Sequence, residues 1–88
     1  DNFSASYMLI IEDKKKTLYI KVENKDLYIK YEKNSSADIV AKLSHECLDN
    51  IIRGRMTFQR AFMTGEMTAK GNFKTLRMLD QVFAFNQS

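Results

Sequence analysis

The side chains best suited to catalysis or metal binding in this sequence are His45 and Cys47. They are two positions apart in a segment with helical periodicity, where about 200° of rotation separates them. A nucleophile and its base, or two ligands of one metal, must instead lie within hydrogen-bonding reach of each other. A phosphate loop is also missing, because Gly65 and Gly71 lie too far apart and lack the lysine that follows in that motif. The residues therefore predict a protein that is not an enzyme, with no catalytic residue, no metal site and no cofactor.

Basic residues could bind nucleic acid, and they occur in two groups. The net charge is only +3, and acidic residues are scattered among the lysines, which favours solubility more than polyanion binding. Tyr19 and Tyr28 could stack on bases, but no RNA-binding motif accompanies them. We therefore favour a solvated turn and a charged helix end, and predict no nucleic-acid partner. A cavity mouth whose arginines attract lipid carboxylates or phosphates stays open as an intermediate interpretation. The two groups are Lys14, Lys15 and Lys16, and Arg53, Arg55 and Arg60.

Length and composition predict one small domain. The chain has 88 residues, which we assign to a single domain covering 1–88. A single cysteine excludes an internal disulfide and favours a reducing compartment, for which the cytoplasm is the simplest location. No apolar run approaches the roughly 18 to 20 residues of a membrane span, so we expect no stable membrane insertion. The chain lacks an initiator methionine and enters a strand almost at once, which indicates a fragment of a longer protein.

Alternating apolar residues predict a mostly antiparallel sheet of five strands. The first strand is apolar on both faces, with Leu9 on one and Met8 and Ile10 on the other, so both faces need cover. Turn residues such as Asn24 separate the early strands by short connections, which favours an antiparallel meander of the first four. The predicted strands run from Phe3 to Ile11, Thr17 to Glu23, Leu27 to Tyr31, Asp38 to Leu43 and, at an edge, Glu66 to Lys70.

Three helical segments follow the fourth strand and complete a predicted α+β fold. Ser44 is a suitable N-cap for a helix from His45 to Arg53 with Gly54 at C′, and its buried stripe is Leu48, Ile51 and Ile52. Thr57 caps a single turn through Phe62, and Asn72 caps a helix from Phe73 to about Phe85. This last helix has two apolar stripes, which are Phe73, Leu76, Leu79 and Phe83, and Met78, Val82 and Phe85.

The apolar residues outnumber those that one core between a sheet and one helical layer requires. The first strand and the last helix are both apolar on two sides, so the surplus indicates a ligand cavity or an interface. Methionine suits a tolerant apolar pocket, because its unbranched and polarisable side chain repacks around different shapes. Ordinary core filling explains the same residues equally well. The composition alone leaves both interpretations open.

A distinctive pattern consists of Ala61-Phe62-Met63-Thr64-Gly65, an alternating run, Lys70-Gly71-Asn72 and a helix rich in Leu and Met. This pattern resembles the sterol carrier protein domain, the non-specific lipid-transfer family. The preceding Ala37-Asp38-Ile39-Val40-Ala41-Lys42-Leu43-Ser44, with Leu48, Ile51, Ile52 and Gly54, is similar to the strand and helix that precede this turn in the family.

This resemblance implies a curved five-stranded sheet with helices on one face and an apolar tunnel between the layers. It implies binding and transfer of a fatty acid, acyl-CoA or sterol-like ligand without catalysis. The alternative is a packing or dimerisation module of a larger protein, with no ligand. The family has helices before its first strand, and their absence here would expose an apolar patch and favour a homodimer. The implied lipid-binding residues are Leu48, Ile52, Phe62, Met63, Met67, Phe73, Leu76, Met78, Leu79, Val82 and Phe83.

Overall fold

A computed structural model describes residues 4–24, 26–32 and 36–87 of the chain, with side chains described through residue 83. Phe3, Phe85 and part of the polar loop before the fourth strand therefore lie outside the described residues or side chains. The elements in chain order are β1 (Ser4–Ile11), a 3-10 helix (Glu12–Lys14), β2 (Lys16–Glu23), β3 (Asp26–Tyr31), β4 (Ile39–Leu43), α1 (His45–Ile52), α2 (Phe58–Thr64), β5 (Met67–Gly71) and α3 (Lys74–Gln87).

The five strands form one mixed sheet in the order β3-β2-β1-β4-β5. The β1–β2, β2–β3 and β4–β5 pairs are antiparallel, whereas β1 and β4 are parallel and align Tyr7 with Ile39 and Ile11 with Leu43. The predicted α+β fold, with a mostly antiparallel sheet and β5 at an edge, is confirmed.

The predicted meander of four strands is wrong at its fourth strand. β4 does not pair with β3 but crosses to the far side of β1. The physical reason lies in the two strands that compete for it. β1 is apolar on both faces and gains most from a neighbour on each side, whereas β3 is an edge strand whose residues are mostly exposed.

The core lies between one face of the sheet and all three helices. Alternate residues of β1 point into it, and the intervening residues Ser6, Met8 and Ile10 on the opposite face are only half-buried. Helices and strands contribute to one buried cluster, so the described helices all cover the same face. Its members are Ala5, Tyr7, Leu9, Ile11, Leu18, Ile20, Val22, Ile39, Ala41, Leu43, Cys47, Leu48, Ile51, Phe58, Ala61, Met67, Leu76, Leu79 and Val82.

The ends of α1 agree with the capping prediction, but its buried stripe does not. The Ser44 hydroxyl accepts a hydrogen bond from the Cys47 N–H at 3.1 Å, and Gly54 after the helix has a φ of 77°. Leu48 and Ile51 are buried, whereas Ile52 is exposed and Cys47 takes its place. A helix of two turns buries a narrow stripe, and Ile52 lies at its border.

The two apolar stripes predicted for the last helix are also divided differently. The helix starts at Lys74, so Phe73 precedes it and is exposed. Leu76, Leu79 and Val82 are the buried residues, at intervals of three, and they combine members of both predicted stripes. α2 is longer than the single turn predicted after Thr57 and continues to Thr64.

Gly71 permits the close approach between the end of β5 and the start of β4. Its φ is +130°, and a Cβ atom added there would lie 2.0 Å from the Asp38 carbonyl oxygen. The next residue, Asn72, donates its backbone N–H to the same oxygen at 3.3 Å. A side chain at position 71 therefore has to displace backbone and not merely another side chain.

We predict that Gly71→Ala destabilises the domain by roughly 3 kcal/mol or more, because a strained φ and a backbone clash act together. Gly65→Ala is the matched control: Gly65 has a φ of +84° and no heavy atom within 4 Å of an added Cβ. Gly65→Ala should lower the free energy of unfolding by about 1 to 2 kcal/mol, because only the left-handed conformation is unfavourable for alanine there. Urea unfolding at constant m-value measures both. Equal losses for the two variants would show that the Asp38 contact does not constrain the fold.

Candidate lipid-binding site

The start of α1 is tied to the turn between the first two strands. The His45 backbone N–H donates to an Asp13 carboxylate oxygen at 2.9 Å, and Asp13 belongs to the 3-10 helix. This bond satisfies one of the N–H groups that a helix leaves unpaired in its first turn. The 3-10 helix, which ends at Lys14, and the start of β2 at Lys16 are consequently held beside α1.

A groove of about 320 Å³ lies between this turn, α1 and the end of β3. Its walls combine apolar side chains with basic ones, and five separate elements contribute. The lining residues are Ile11, Lys14, Lys16, Tyr31, His45, Leu48, Asp49 and Ile52.

The charge on the groove is predominantly positive. The Lys16 ammonium lies 5.4 Å from the centre of the Tyr31 ring, in the range of a cation–π contact. Asp49 is the one carboxylate among the lining residues, and the Arg53 guanidinium binds it at 2.8 Å. An apolar wall beside two lysines suits an amphipathic molecule with an anionic headgroup.

The structure places six of the predicted lipid-binding residues in or against the core. Leu48, Met67, Leu76, Leu79 and Val82 belong to the buried cluster, and Phe83 packs against it. The Phe83 ring meets that of Phe58 edge to face, with centroids 5.1 Å apart. Met78 is half-buried on α3. The first six lie in or against the layer between sheet and helices, where the tunnel was predicted, and contact of all seven with a lipid stays a prediction.

The other four predicted residues are exposed and fall into two groups. Ile52, 49% exposed, lines the groove together with Leu48. Phe62, Met63 and Phe73 have exposed fractions of 37%, 83% and 47% and lie at the end of α2 and the start of α3. The rings of Phe62 and Phe73 are in contact, with centroids 5.0 Å apart. These three residues form a separate surface away from the groove.

Sequence reasoning missed the groove residues outside α1. Ile11 was interpreted as strand core, Lys14 and Lys16 as a solvated turn, and Tyr31 as the end of a strand. The available signal was an apolar strand running directly into a basic turn, but only the fold brings that turn against α1.

His45 and Cys47 do not form a catalytic pair. His45 is exposed at the start of α1, and Cys47 is buried in the core. Burial raises the pKa of the Cys47 thiol, and the nearby Glu66 carboxylate raises it further. The thiol is therefore protonated near neutral pH, which makes it a poor nucleophile. The described residues also contain no group of three or more His, Cys, Asp or Glu side chains placed to hold a metal ion.

Tyr7 connects the middle of the sheet to α3 beneath these surfaces. Its side chain is fully buried, and its hydroxyl donates a short hydrogen bond to the Thr75 carbonyl oxygen. Burial raises the pKa of Tyr7 to about 12, and the Asp38 and Asp80 carboxylates add to the rise. The phenol is thus held in its neutral form across the physiological range.

Comparison with known proteins shows the family. Residues 1–84 match the family model described as the SCP-2 sterol transfer family, and the chain belongs to that family. Family membership connects the domain with lipid or sterol binding or transfer. No curated protein sequence matches the chain significantly.

Solved structures share the fold. Sterol carrier protein 2 from Yarrowia lipolytica, in its apo form, has a TM-score of 0.67 and 26% identity, over 89% of this chain and 63% of that one. Palmitated SCP2L2 from Aedes aegypti has a TM-score of 0.67 and 18% identity, over 92% of this chain and 73% of that one. The sec-alkylsulfatase Pisa1 from Pseudomonas sp. has a TM-score of 0.72 and 23% identity, over 92% of this chain but 12% of the sulfatase. The same fold therefore occurs as a small part of an enzyme.

In the part of the chain that the structure describes, none of the helices is long and apolar enough to cross a membrane.

We predict that Tyr7 makes stability fall at alkaline pH. Its pKa is about 12 in the folded state and is expected near its ordinary value of 10.0 when unfolded. The folded state therefore favours the protonated phenol. The resulting contribution of Tyr7 to the free energy of unfolding is complete below pH 10 and is lost as the pH rises towards 12. The loss should approach 1.4 kcal/mol per pH unit within that window.

Tyr7→Phe should flatten the profile between pH 10 and 12, as measured by urea unfolding at each pH. Tyr31→Phe is the control, because its ring is among the most exposed of the large hydrophobic side chains described. Wild-type and Tyr7→Phe curves that stay parallel up to pH 12 would contradict the assignment.

Proposed function

We propose that this domain binds and transfers an amphipathic lipid with an anionic headgroup, such as a fatty acid or acyl-CoA. The observation that carries the proposal is the groove beside α1, where an apolar wall and a basic rim occur together. Membership of the SCP-2 sterol transfer family supports the same ligand class.

The apolar wall of the groove would hold the hydrocarbon part of the ligand. Ile11 and Leu48 are buried members of the core cluster, and Ile52 beside them is exposed. Covering such a surface with an acyl chain contributes about 0.8 kcal/mol for each buried CH₂ group. The wall adjoins the layer between sheet and helices, so a longer chain would extend towards Leu79 and the other predicted tunnel residues.

The basic rim would hold the headgroup. Lys14 ends the 3-10 helix, Lys16 begins β2, and both side chains line the groove. A lysine ammonium binds carboxylate and phosphate as a compact charge, which tolerates differences in headgroup geometry. This arrangement favours a carboxylate or phosphate ester over a neutral sterol.

We propose binding without chemical conversion of the ligand, in a reducing compartment such as the cytoplasm. The buried Cys47, with its raised pKa, supports a structural and not a nucleophilic role. A free thiol in the core also agrees with a compartment in which disulfides are rare.

We predict that Ile52→Glu weakens binding of a fluorescent fatty acid by about tenfold or more, because it removes apolar wall and places a carboxylate beside the anionic headgroup. Ile29→Glu on β3 is the matched control. Both isoleucines are 49% exposed, both changes alter the net charge equally, and Ile29 does not line the groove. Fluorescence titration in vesicle-free solution measures the two affinities.

Comparing a fatty acid with its methyl ester in the same assay isolates the contribution of the anionic headgroup to the binding affinity. The double variant Lys14→Gln, Lys16→Gln should lose affinity for the fatty acid and keep its affinity for the methyl ester. Equal affinity of Ile52→Glu and Ile29→Glu for the fatty acid would overturn the groove as the binding site. Native mass spectrometry of the freshly purified protein, followed by solvent extraction, would identify a co-purifying ligand.

The alternative function is a packing or dimerisation module, and the open face of the sheet favours it. Met8 and Val40 are neighbours in the β1–β4 pair and are half-buried on the face opposite the described helices. Tyr19 and Tyr28 extend this face towards the other edge, where both line a shallow surface with Lys21 and Lys30. A second copy of the chain could cover the apolar centre of this face.

This alternative predicts a homodimer, with twice the 10.3 kDa chain mass in light scattering at high micromolar concentration. Val40→Glu should then give a monomer, because it places a charge in the interface, whereas Ile29→Glu on the other face should leave the dimer intact. A monomeric mass for the unaltered chain would count against this function and would leave lipid binding unaffected.

A further inference from the structure

Three exposed side chains form what we term the apolar apex, which consists of Phe62 and Met63 at the end of α2 and Phe73 just before α3. Met63 has the largest exposed fraction among the large hydrophobic residues that the structure describes. The contact between the Phe62 and Phe73 rings joins the two segments into one surface. A contiguous apolar surface of this kind is typical of an interaction site.

The helix that carries the apex is fixed from its opposite side. Phe58 and Ala61 of α2 are fully buried, so Phe62 and Met63 point away from the core. The Asp80 carboxylate accepts hydrogen bonds from the Phe58 N–H at 2.6 Å and the Gln59 N–H at 3.0 Å, which ties the start of α2 to α3. Because the inner face of α2 packs against the core, the apolar apex faces outward.

The segment that carries the apex is rich in basic residues, and from outside this segment the Asp80 carboxylate contacts the start of α2. Residues 55–77 contain five of the 14 basic residues of the chain and one of its 11 acidic residues, a net charge of +4 against +3 for the whole chain. The acidic residue, Glu66, accepts a hydrogen bond from the Thr64 hydroxyl at 3.0 Å. On α2, Arg60 lies three residues before Met63 and so on a neighbouring part of the helix surface. Lys74 and Arg77 lie in the first turn of α3, directly after Phe73.

We propose that the apolar apex docks on the surface of an anionic lipid bilayer. Phe62, Met63 and Phe73 would enter the boundary between headgroups and acyl chains. Arg60, Lys74 and Arg77 would remain among the lipid phosphates. Apolar and aromatic side chains with a basic surround match this boundary, which is apolar on one side and negatively charged on the other. α2 has seven residues, so this contact is superficial and not a membrane span. The inference does not depend on the lipid-binding groove.

The absence of tryptophan from the sequence allows a direct test. Met63→Trp places a single fluorescent reporter at the apex. On vesicles of phosphatidylcholine and phosphatidylglycerol in equal amounts, we expect a blue shift of its emission and quenching by brominated acyl chains. Vesicles of phosphatidylcholine alone should give neither, and added salt should reverse the binding.

Matched variants separate the apex from other surfaces. Tyr28→Trp on β3 also has an exposed position, and its emission should stay unchanged on the same vesicles. In co-sedimentation, Phe62→Gln with Met63→Gln should lose binding, whereas Tyr28→Gln with Ile29→Gln should keep it. Arg60→Gln with Arg77→Gln should weaken binding about 25-fold, at about fivefold for each basic residue removed.

Several results would overturn the proposal. Failure of the unaltered chain to bind mixed vesicles would do so, as would equal blue shifts at positions 63 and 28. A blue shift of Met63→Trp that depends on protein concentration without vesicles would assign the apex to a second copy of the chain instead. Fatty-acid titration without vesicles tests the groove separately, so either conclusion can fail alone.

Discussion

The structure depends on β1, the middle strand of the described sheet, which pairs antiparallel with β2 on one side and parallel with β4 on the other. Tyr7 lies at its centre, and its hydroxyl reaches the Thr75 carbonyl near the start of α3. A tyrosine at this position fills the core with its ring and satisfies its polar atom only when α3 is in place. The middle of the sheet and the last helix are thereby ordered together, although 68 residues separate the two partners.

Three aspartates fix the surfaces that surround this core. Asp13 accepts from the first N–H of α1, Asp38 from the Ser6 N–H in β1, and Asp80 from two N–H groups at the start of α2. Each joins elements that are distant in sequence, and each satisfies backbone donors that a helix end or strand end would leave unpaired. Burial raises the pKa of Asp80, and its two backbone hydrogen bonds partly oppose the rise. The groove depends on Asp13 and the apolar apex on Asp80.

Local features of the fold were predictable, and non-local ones were not. Ser44 and Gly54 define the ends of α1 through their own backbone and side-chain chemistry, and Asn24 has the positive φ expected of its turn. The parallel partner of β1 depends on which strand gains most from pairing, which no local window contains. The exposure of Phe62 and Ile52 follows from the same limitation, because periodicity shows which residues share a helix face but not which way a short helix is turned.

The apolar surplus in the sequence was interpreted as evidence for one cavity or one interface, and the structure distributes it over four places. Part of it fills the core, part lines the groove, part covers the open face around Val40, and part forms the apex around Met63. The groove and the apex both combine apolar residues with basic ones. A lipid has both an apolar part and, in many cases, an anionic part, so these two surfaces match it in complementary ways. The groove suits one molecule, and the apex suits the bilayer from which such a molecule would come.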